Sequence, residues 1–139
     1  MNTTSIPFPQ ATKQGRLTIL VVDDDMAVAQ TVKMVLRYFG HSVDVLHDGG
    51  DAFARLALFP HLYDIVITDH SMRYVTGLEM IAQLKGTPFR GGIIALSGSL
   101  TTEEEEAYLE MGAGMIMRKP FDLEHLRQAV DFLRPLAAA

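Results

Sequence analysis

Five short apolar runs, each followed by a segment of helical periodicity, constrain the fold of this chain more than any other feature of its sequence. The runs are rich in valine and isoleucine and cover residues 17–22, 42–46, 64–68, 92–96 and 115–118. Nearly continuous apolar runs of this length are typical of strands buried on both faces of a parallel sheet. The second run instead alternates, with Val43 and Val45 two residues apart, which predicts an edge strand.

After each run, apolar residues recur at the three- and four-residue spacing of one helix face. Each pattern is followed by a residue that ends helices, namely Gly40, Pro60, Gly86, Gly112 and Pro135. Predicted N-caps are Asp25, Asp122, and either Thr101 or Thr102. The five strand–helix repeats predict an α/β fold, with a doubly wound five-stranded parallel sheet and five helices on its two faces.

The length of 139 residues corresponds to one domain. A polar stretch with two prolines and Gly15 predicts a flexible N-terminal tail over residues 1–15, followed by a domain over residues 16–135. Residues 136–139 are expected to form a short C-terminal tail. This division leaves no room for a second domain, so we expect any downstream effect of this domain to be exerted through another protein.

The composition excludes several classes of protein. The chain has no cysteine, which excludes a disulfide scaffold, a thiolate metal site and a cysteine nucleophile, and fits a cytoplasmic location. No apolar segment reaches the length of about 18 residues that a membrane-spanning helix needs, and no secretory signal is visible. The net charge of −5 argues against binding to phosphate backbones. We therefore expect neither a membrane nor a nucleic acid as partner.

Polar residues stand at the ends of four of the predicted strands. Asp23 and Asp24 follow the first run, Asp69 the third, Ser97 the fourth and Lys119 the fifth. Because ligands of open parallel sheets bind outside the carboxyl ends of the strands, these side chains are expected to converge on one site. Taken singly, each is more simply explained as a helix cap, a turn residue or a solvated charge, and only the combination is specific.

The chemistry of this combination points to phosphoryl transfer. Clustered carboxylates repel one another, so the site requires a cation or the lysine to neutralise it. Oxygen ligands without cysteine or clustered histidine favour a hard divalent ion, Mg²⁺ first. A carboxylate beside Mg²⁺, with an ammonium and a hydroxyl to hold phosphoryl oxygens, is the set of groups that formation of an aspartyl phosphate needs.

Four motifs fall at the strand ends in order: ILVVDDD, DIVITDHSMRYVTGLEM, IIALSGS and GAGMIMRKPF. With these motifs, which span residues 17 to about 134, the chain resembles the receiver domain of a two-component response regulator. The resemblance implies a flavodoxin-like fold with strand order 2-1-3-4-5. It also implies a phosphorylation-dependent binding module that is not an enzyme, apart from its part in its own phosphorylation and dephosphorylation.

The resemblance assigns roles to the strand-end residues. Asp69 is the expected phosphoacceptor, and the expected Mg²⁺ ligands are Asp23, Asp24, Asp69 and the backbone carbonyl of Ser71. Asp24 is the expected direct ligand of the acidic pair, with Asp23 acting through water. These assignments are carried over from the family pattern onto the matching positions of this sequence.

The remaining roles concern the phosphoryl group and the partners. By the same resemblance, Ser97 is the switch hydroxyl, Lys119 pairs with the phosphoryl group, and the bond between Lys119 and Pro120 is expected to be cis. The expected phosphoryl donor is a histidine kinase or a histidine phosphotransfer protein. The signal is expected to pass from this chain to an unknown downstream protein. A homodimer through the fourth and fifth helices is possible.

Two positions depart from the family pattern. Arg73 stands where the family commonly has proline, which predicts a less rigid loop over residues 71–76. Ile116 stands where receivers often carry an aromatic residue, so a relay from Ser97 to an aromatic ring cannot operate in its usual form. Tyr108 on the fourth helix is a candidate substitute, although plain packing is its simpler role.

Three further residues lie close to the predicted site. Ser71 and Ser99 stand two residues past the acceptor and the switch hydroxyl, where the family tunes hydrolysis of the phosphoryl group, and they predict an intermediate lifetime. His70 directly follows the acceptor and is expected to be a loop side chain rather than a metal ligand or a phosphorelay group. The histidine of phosphoryl transfer would come from the partner.

Other functions remain open at this point. The chain could be a receiver module from a hybrid histidine kinase. It could also be a phosphorylation-independent scaffold, since Ile116 replaces the aromatic residue through which phosphorylation is usually relayed. A Mg²⁺-dependent phosphatase of the haloacid dehalogenase type would carry Asp-x-Asp-x-Thr after the first strand, where this chain has DDDMAV. A flavin-binding domain of the same topology would need a phosphate loop rich in serine, threonine and glycine there, and the acids at 23–25 would repel a flavin phosphate.

Overall fold

The computed structural model describes residues 15–135, in which strands and helices alternate strictly. The strands are β1 (Thr18–Val22), β2 (Ser42–Leu46), β3 (Ile65–Asp69), β4 (Gly92–Ser97) and β5 (Met115–Arg118). The helices are α1 (Met26–Tyr38), α2 (Gly49–Leu58), α3 (Gly77–Leu84), α4 (Thr102–Glu110) and α5 (Leu123–Phe132). The predicted tails over residues 1–15 and 136–139 lie outside the described residues, apart from Gly15.

The sheet is parallel throughout, with the strand order β2-β1-β3-β4-β5. This confirms the predicted doubly wound, flavodoxin-like arrangement, and β2 occupies an edge as its alternating pattern predicts. The register pairs Asp69 with Leu96 and Ser97 with Arg118. The loops that follow β3, β4 and β5 therefore leave the sheet side by side at its carboxyl end.

Apolar side chains alternate between the two faces of the sheet, and each face builds one layer of core. In β1, Ile19 and Val21 pack on the face covered by α1 and α5. Leu20 and Val22 pack on the opposite face, which α2, α3 and α4 cover. All four side chains are buried. Burial on both faces explains why the apolar runs of the sequence are continuous rather than alternating.

The start of β3 differs from the predicted run by one residue, because Asp64 lies outside the strand ladder. The Asp64 carboxylate accepts a hydrogen bond from the backbone N–H of Thr18 at 2.8 Å. Pairing with β1 begins only at Ile65. At the other end the ladder includes Asp69, so the predicted acceptor is held by strand pairing as well as by its loop.

The predicted N-caps of three helices are confirmed. Asp25 caps α1 and Asp122 caps α5, each through a side-chain oxygen that accepts backbone N–H bonds of the first turn. Thr101 caps α4 in a capping box, in which the Glu104 side chain accepts in return from the Thr101 N–H. Over residues 15–135, no helix has the length and apolar character that crossing a membrane requires.

His41, between α1 and β2, is a buried histidine that makes the stability of the fold depend on pH. Its Nδ1 accepts a hydrogen bond from the backbone N–H of Leu17 at 3.0 Å, which requires the neutral ring. Burial lowers the pKa of His41, and the guanidinium groups of Arg134 and Arg16 act in the same direction, against two nearby carboxylates. Protonation of this ring in the folded chain is therefore unfavourable.

A His41→Asn variant is expected to lose less stability in acid than the wild-type chain. Because the folded-state pKa of His41 lies below the unfolded value of about 6.5, its contribution to stability is complete above that pH and falls as the pH drops toward the folded value. The asparagine Oδ1 stands in the place of Nδ1, so it keeps the bond from Leu17 without titrating. At neutral pH the two unfolding free energies should differ by less than about 1 kcal/mol.

Urea unfolding at neutral pH and at about pH 5.5 measures this difference. The control is His61→Asn, an exposed histidine between α2 and β3, which should retain the wild-type loss of unfolding free energy in acid. Equal losses for His41→Asn and the wild-type chain would contradict the assignment.

Candidate functional site

Three carboxylates meet at the carboxyl end of the sheet, placed there by β1 and β3. Asp69 is the last residue of β3, and Asp23 and Asp24 directly follow β1. One oxygen from each carboxylate lies within 4.8 Å of the other two. Asp23 and Asp69 are only 2% and 6% exposed, whereas Asp24 is half-buried. The structure thus brings together the three acids that the sequence predicts as metal ligands.

Backbone N–H groups hold two of these carboxylates in place. Asp23 Oδ1 accepts from the N–H of Asp25 at 2.9 Å, and Asp24 Oδ2 accepts from the N–H of Arg73 at 2.9 Å. The second bond ties the loop after β1 to the loop after β3. A proline has no N–H, so Arg73 allows a restraint that the usual residue of the family could not make. That the loop over residues 71–76 is less rigid stays a prediction. The hydrogen bond from Arg73 to Asp24 restrains this loop and therefore opposes the predicted effect.

Lys119, directly after β5, brings an ammonium group into the acid cluster. Its Nζ donates a hydrogen bond to Asp69 Oδ1 at 2.5 Å and lies 3.7 Å from Asp23 Oδ2. Burial disfavours the charged ammonium, but the hydrogen bond to Asp69 and the negative charges of Asp69 and Asp23 outweigh this effect, so the pKa of Lys119 is raised. The bond between Lys119 and Pro120 is cis, as expected.

One ammonium does not neutralise three carboxylates. Burial raises the pKa of Asp23, and the charges of Asp69 and Asp24 add to this effect. Asp23 Oδ2 is buried and accepts no hydrogen bond from the described residues. A hard divalent cation would satisfy both this oxygen and the excess charge, so the residues present fit Mg²⁺. Ser71 lies exposed in the loop after β3, and its carbonyl stays a prediction as a further ligand.

Ser97, the last residue of β4, is buried and turns its hydroxyl toward its own loop. The Oγ atom donates to the backbone carbonyl of Ser99 and accepts from the Ser99 N–H, both at 3.1 Å. The backbone N–H of Lys119 donates to the Ser97 carbonyl at 2.8 Å, which keeps β4 and β5 together at the site. To donate to a group attached to Asp69, the hydroxyl must give up the bond that it donates to the Ser99 carbonyl.

His70 takes part in the site surroundings in a way that sequence reasoning missed. Its Nδ1 lies 2.6 Å from the Tyr108 hydroxyl, and its Nε2 lies 3.2 Å from Glu104 Oε2. These partners are 38 and 34 residues away along the chain, so no local motif reveals them. The available signal was Tyr108 itself, since a buried tyrosine requires a partner for its hydroxyl.

The strand order is that of a flavodoxin-like fold, and the acid cluster lies at the carboxyl end of its sheet. Residues 19–131 match the family described as the response regulator receiver domain. The chain therefore belongs to the response regulator receiver domain family of two-component signalling, as its four motifs indicate.

Known proteins of this family resemble the chain over most of its length. The response regulator MprA of Mycobacterium tuberculosis is 38% identical over 108 residues, which cover 78% of this chain and 46% of the relative. The gliding motility regulatory protein of Myxococcus xanthus is 32% identical over 130 residues, which cover 91% and 16%. The solved signal receiver domain of a response regulator from Bermanella marisrubri is 31% identical, with a TM-score of 0.75 and coverage of 84% and 96%. This chain spans less than half the length of either curated relative.

Proposed function

We propose that this chain accepts a phosphoryl group on Asp69 from a histidine kinase or a histidine phosphotransfer protein, with Mg²⁺ bound, and that phosphorylation switches a protein-binding surface. The observation that carries the proposal is the contact of the Asp69 carboxylate with the Lys119 ammonium at 2.5 Å, inside the acid cluster. A fixed ammonium at this distance can balance charge on the carboxylate and on a phosphoryl group that joins it, without reorganisation during the reaction.

In the proposed reaction, one oxygen of Asp69 attacks the phosphorus atom of the donor phosphohistidine. A new oxygen–phosphorus bond forms as the nitrogen–phosphorus bond breaks, and its electron pair stays on the nitrogen, so a donor ring protonated at its other nitrogen leaves as neutral imidazole. Lys119 stays protonated and balances the phosphoryl charge. The Ser97 hydroxyl leaves Ser99 and donates to a phosphoryl oxygen.

Mg²⁺, when bound, would supply further charge neutralisation at the phosphoryl oxygens, and Asp23, Asp24 and Asp69 would hold it. An Asp24→Ala variant is expected to bind Mg²⁺ about tenfold or more weakly, since even the loss of outer partners of metal ligands has effects of this size. Isothermal titration calorimetry measures the affinity. Asp51→Ala, which removes an exposed acid on α2, should bind as the wild-type chain does. An unchanged affinity in Asp24→Ala would remove this residue from the ligand set.

The proposed switching surface is formed by α4, β5 and α5. Large apolar side chains on its two helices are exposed, namely Leu109, Leu123 and Phe132. They are available for contact with a downstream protein, or with a second copy of the chain in a homodimer through α4 and α5. A receiver module of a hybrid kinase would use the same phosphoacceptor chemistry.

Acetyl phosphate, a small phosphoryl donor, tests the proposal without the cognate kinase. With Mg²⁺, intact-mass spectrometry is expected to show the gain of one phosphoryl group, and no gain when Mg²⁺ is chelated. A folded chain that gains none would contradict the proposal and favour the phosphorylation-independent scaffold. Because a receiver also hydrolyses its own phosphoryl group, phosphate release from acetyl phosphate does not separate the two functions, whereas turnover of an unactivated phosphate monoester would favour the phosphatase.

A further inference from the structure

His70, Tyr108 and Glu104 form a hydrogen-bonded cluster, the His70 network, which links the residue after the phosphoacceptor to α4. The side chain of Tyr108 is fully buried, so its hydroxyl requires a partner inside the protein. With the ring proton assigned to His70 Nε2, the Tyr108 hydroxyl donates to His70 Nδ1 at 2.6 Å, and Nε2 donates to Glu104 Oε2 at 3.2 Å. In this tautomer, every donor of the network has an acceptor.

The His70 network lies where the loop after β3, the start of α3 and the helix α4 pack closely together. The backbone of His70 is held on both sides, because its N–H donates to the Leu96 carbonyl at 2.9 Å and its carbonyl accepts from the Gly77 N–H at 3.0 Å. A Cβ atom on Gly77 would lie 2.5 Å from the Asp69 carbonyl oxygen and 2.8 Å from the Tyr108 hydroxyl. Gly77 thus lets the backbone of α3 pass close to both the phosphoacceptor backbone and the tyrosine hydroxyl.

Glu104 connects the network to the first turn of α4. Its Oε1 accepts from the Thr101 N–H at 2.9 Å, and its Oε2 is the atom that contacts His70. The Thr101 N–H, with a further contribution from His70, holds the pKa of Glu104 below its ordinary value. The start of α4 is thus held from two sides, by Glu104 and by the loop that begins at Ser97, and both attachments flank the phosphoacceptor.

We propose that the His70 network transmits the phosphorylation state of Asp69 to α4, in place of a rotating aromatic ring on β5; this inference rests on the proposed function. Ile116 occupies the β5 position of that ring, has no polar atom, and packs partly buried against the same cluster as Tyr108. The polar contacts of α4 with the acceptor segment are therefore made by the buried hydroxyl of Tyr108 and by the carboxylate of Glu104.

Phosphorylation acts on both attachments of α4 at once. A phosphoryl group carries about two negative charges where the carboxylate carried one, which changes the field directly beside His70. At the same time the Ser97 hydroxyl gives up its bond to the Ser99 carbonyl, which removes one restraint on the loop that leads to Thr101. The first turn of α4 then shifts or loosens, since neither attachment keeps its geometry.

A Tyr108→Phe variant tests the proposal because it removes one hydroxyl and leaves the ring. Hydrogen exchange of the α4 amides is measured by mass spectrometry with and without acetyl phosphate and Mg²⁺, and intact mass gives the phosphoryl occupancy of the same samples. In the wild-type chain, phosphorylation is expected to speed exchange in α4 about fivefold, the effect of one hydrogen bond of ordinary net strength. Unphosphorylated Tyr108→Phe should already exchange about fivefold faster, and phosphorylation should then add less than about twofold.

The chain offers a matched control in Tyr63, which is also buried and donates its hydroxyl to Asp44 at 2.6 Å, at the opposite end of β3. Tyr63→Phe should show the full wild-type response of α4. Glu104→Gln keeps the capping box with Thr101 but replaces the carboxylate that contacts His70, so it should reproduce the loss if Tyr108→Phe fails to fold. Its own control is Glu103→Gln, in the same turn.

The outcomes separate this inference from the function on which it rests. A wild-type chain that gains no phosphoryl group contradicts the proposed function and the inference with it. A phosphorylated wild-type chain with unchanged α4 exchange overturns the inference alone. So does a Tyr108→Phe variant that is phosphorylated to the same occupancy and shows the full wild-type change in α4.

Discussion

An Asp69→Asn variant is expected to gain no phosphoryl group from acetyl phosphate under conditions that fully label the wild-type chain. The amide has nearly the same shape as the carboxylate but no ionised oxygen to attack phosphorus. Asp69 is also the acid of the cluster that accepts a hydrogen bond from the Lys119 ammonium, which lies 3.7 Å from Asp23. Intact-mass spectrometry measures the labelling, and circular dichroism shows that the variant is folded.

The control for this experiment makes the same chemical change at the same end of the sheet. Asp25→Asn replaces the N-cap of α1, where asparagine serves as well as aspartate, and it leaves the acid cluster intact. It should be labelled as fully as the wild-type chain. Labelling of Asp69→Asn at the wild-type level would move the phosphoacceptor to another residue, and loss of labelling in Asp25→Asn would mean that the assay reports the local fold instead.

The position of the site could be predicted from the sequence because each of its polar residues ends, or directly follows, an apolar run that forms a buried strand. Asp69 and Ser97 end apolar runs, and in a parallel sheet such ends come together whatever the helices do. The strand order needed more than the pattern of runs, and it came with the resemblance of the four motifs to a family. The one-residue shift of β3 depends on the bond from Thr18 to Asp64, which no periodicity encodes.

The role of His70 could not be predicted in this way, because it depends on packing between elements distant in sequence. The His70 ring contacts Tyr108 only because α4 lies close to the loop after β3. The lack of a side chain at Gly77 permits this closeness, because a Cβ atom there would lie 2.8 Å from the tyrosine hydroxyl. For the same reason the hydrogen bond from the Arg73 N–H to Asp24 could not be predicted, although the sequence does show that arginine replaces the proline common in the family at this position.

A Lys119→Met variant is expected to be phosphorylated at least about a hundredfold more slowly than the wild-type chain, the effect of removing one preorganised charge partner from a reaction site. Methionine keeps most of the length of the aliphatic stem and removes the ammonium that contacts Asp69. The phosphoryl group then approaches three carboxylates that have lost their fixed positive charge. The rate is measured by intact mass over time at saturating Mg²⁺.

The control is Arg118→Met, which removes the neighbouring cation of β5. Its side chain is 76% exposed and pairs with Glu105, so its phosphorylation rate should stay within about twofold of the wild-type value. Wild-type labelling kinetics in Lys119→Met would contradict the role of the ammonium.

Mg²⁺ binding separates two explanations of a slow Lys119→Met variant. The Lys119 ammonium competes with a cation for the oxygens of Asp69 and Asp23, so its removal should tighten Mg²⁺ binding while it slows phosphorylation. Slower labelling with tighter Mg²⁺ binding would assign the ammonium to the phosphoryl group during transfer. Slower labelling with weaker binding would instead mean that the acid cluster has rearranged, because loss of a positive charge cannot by itself repel a cation.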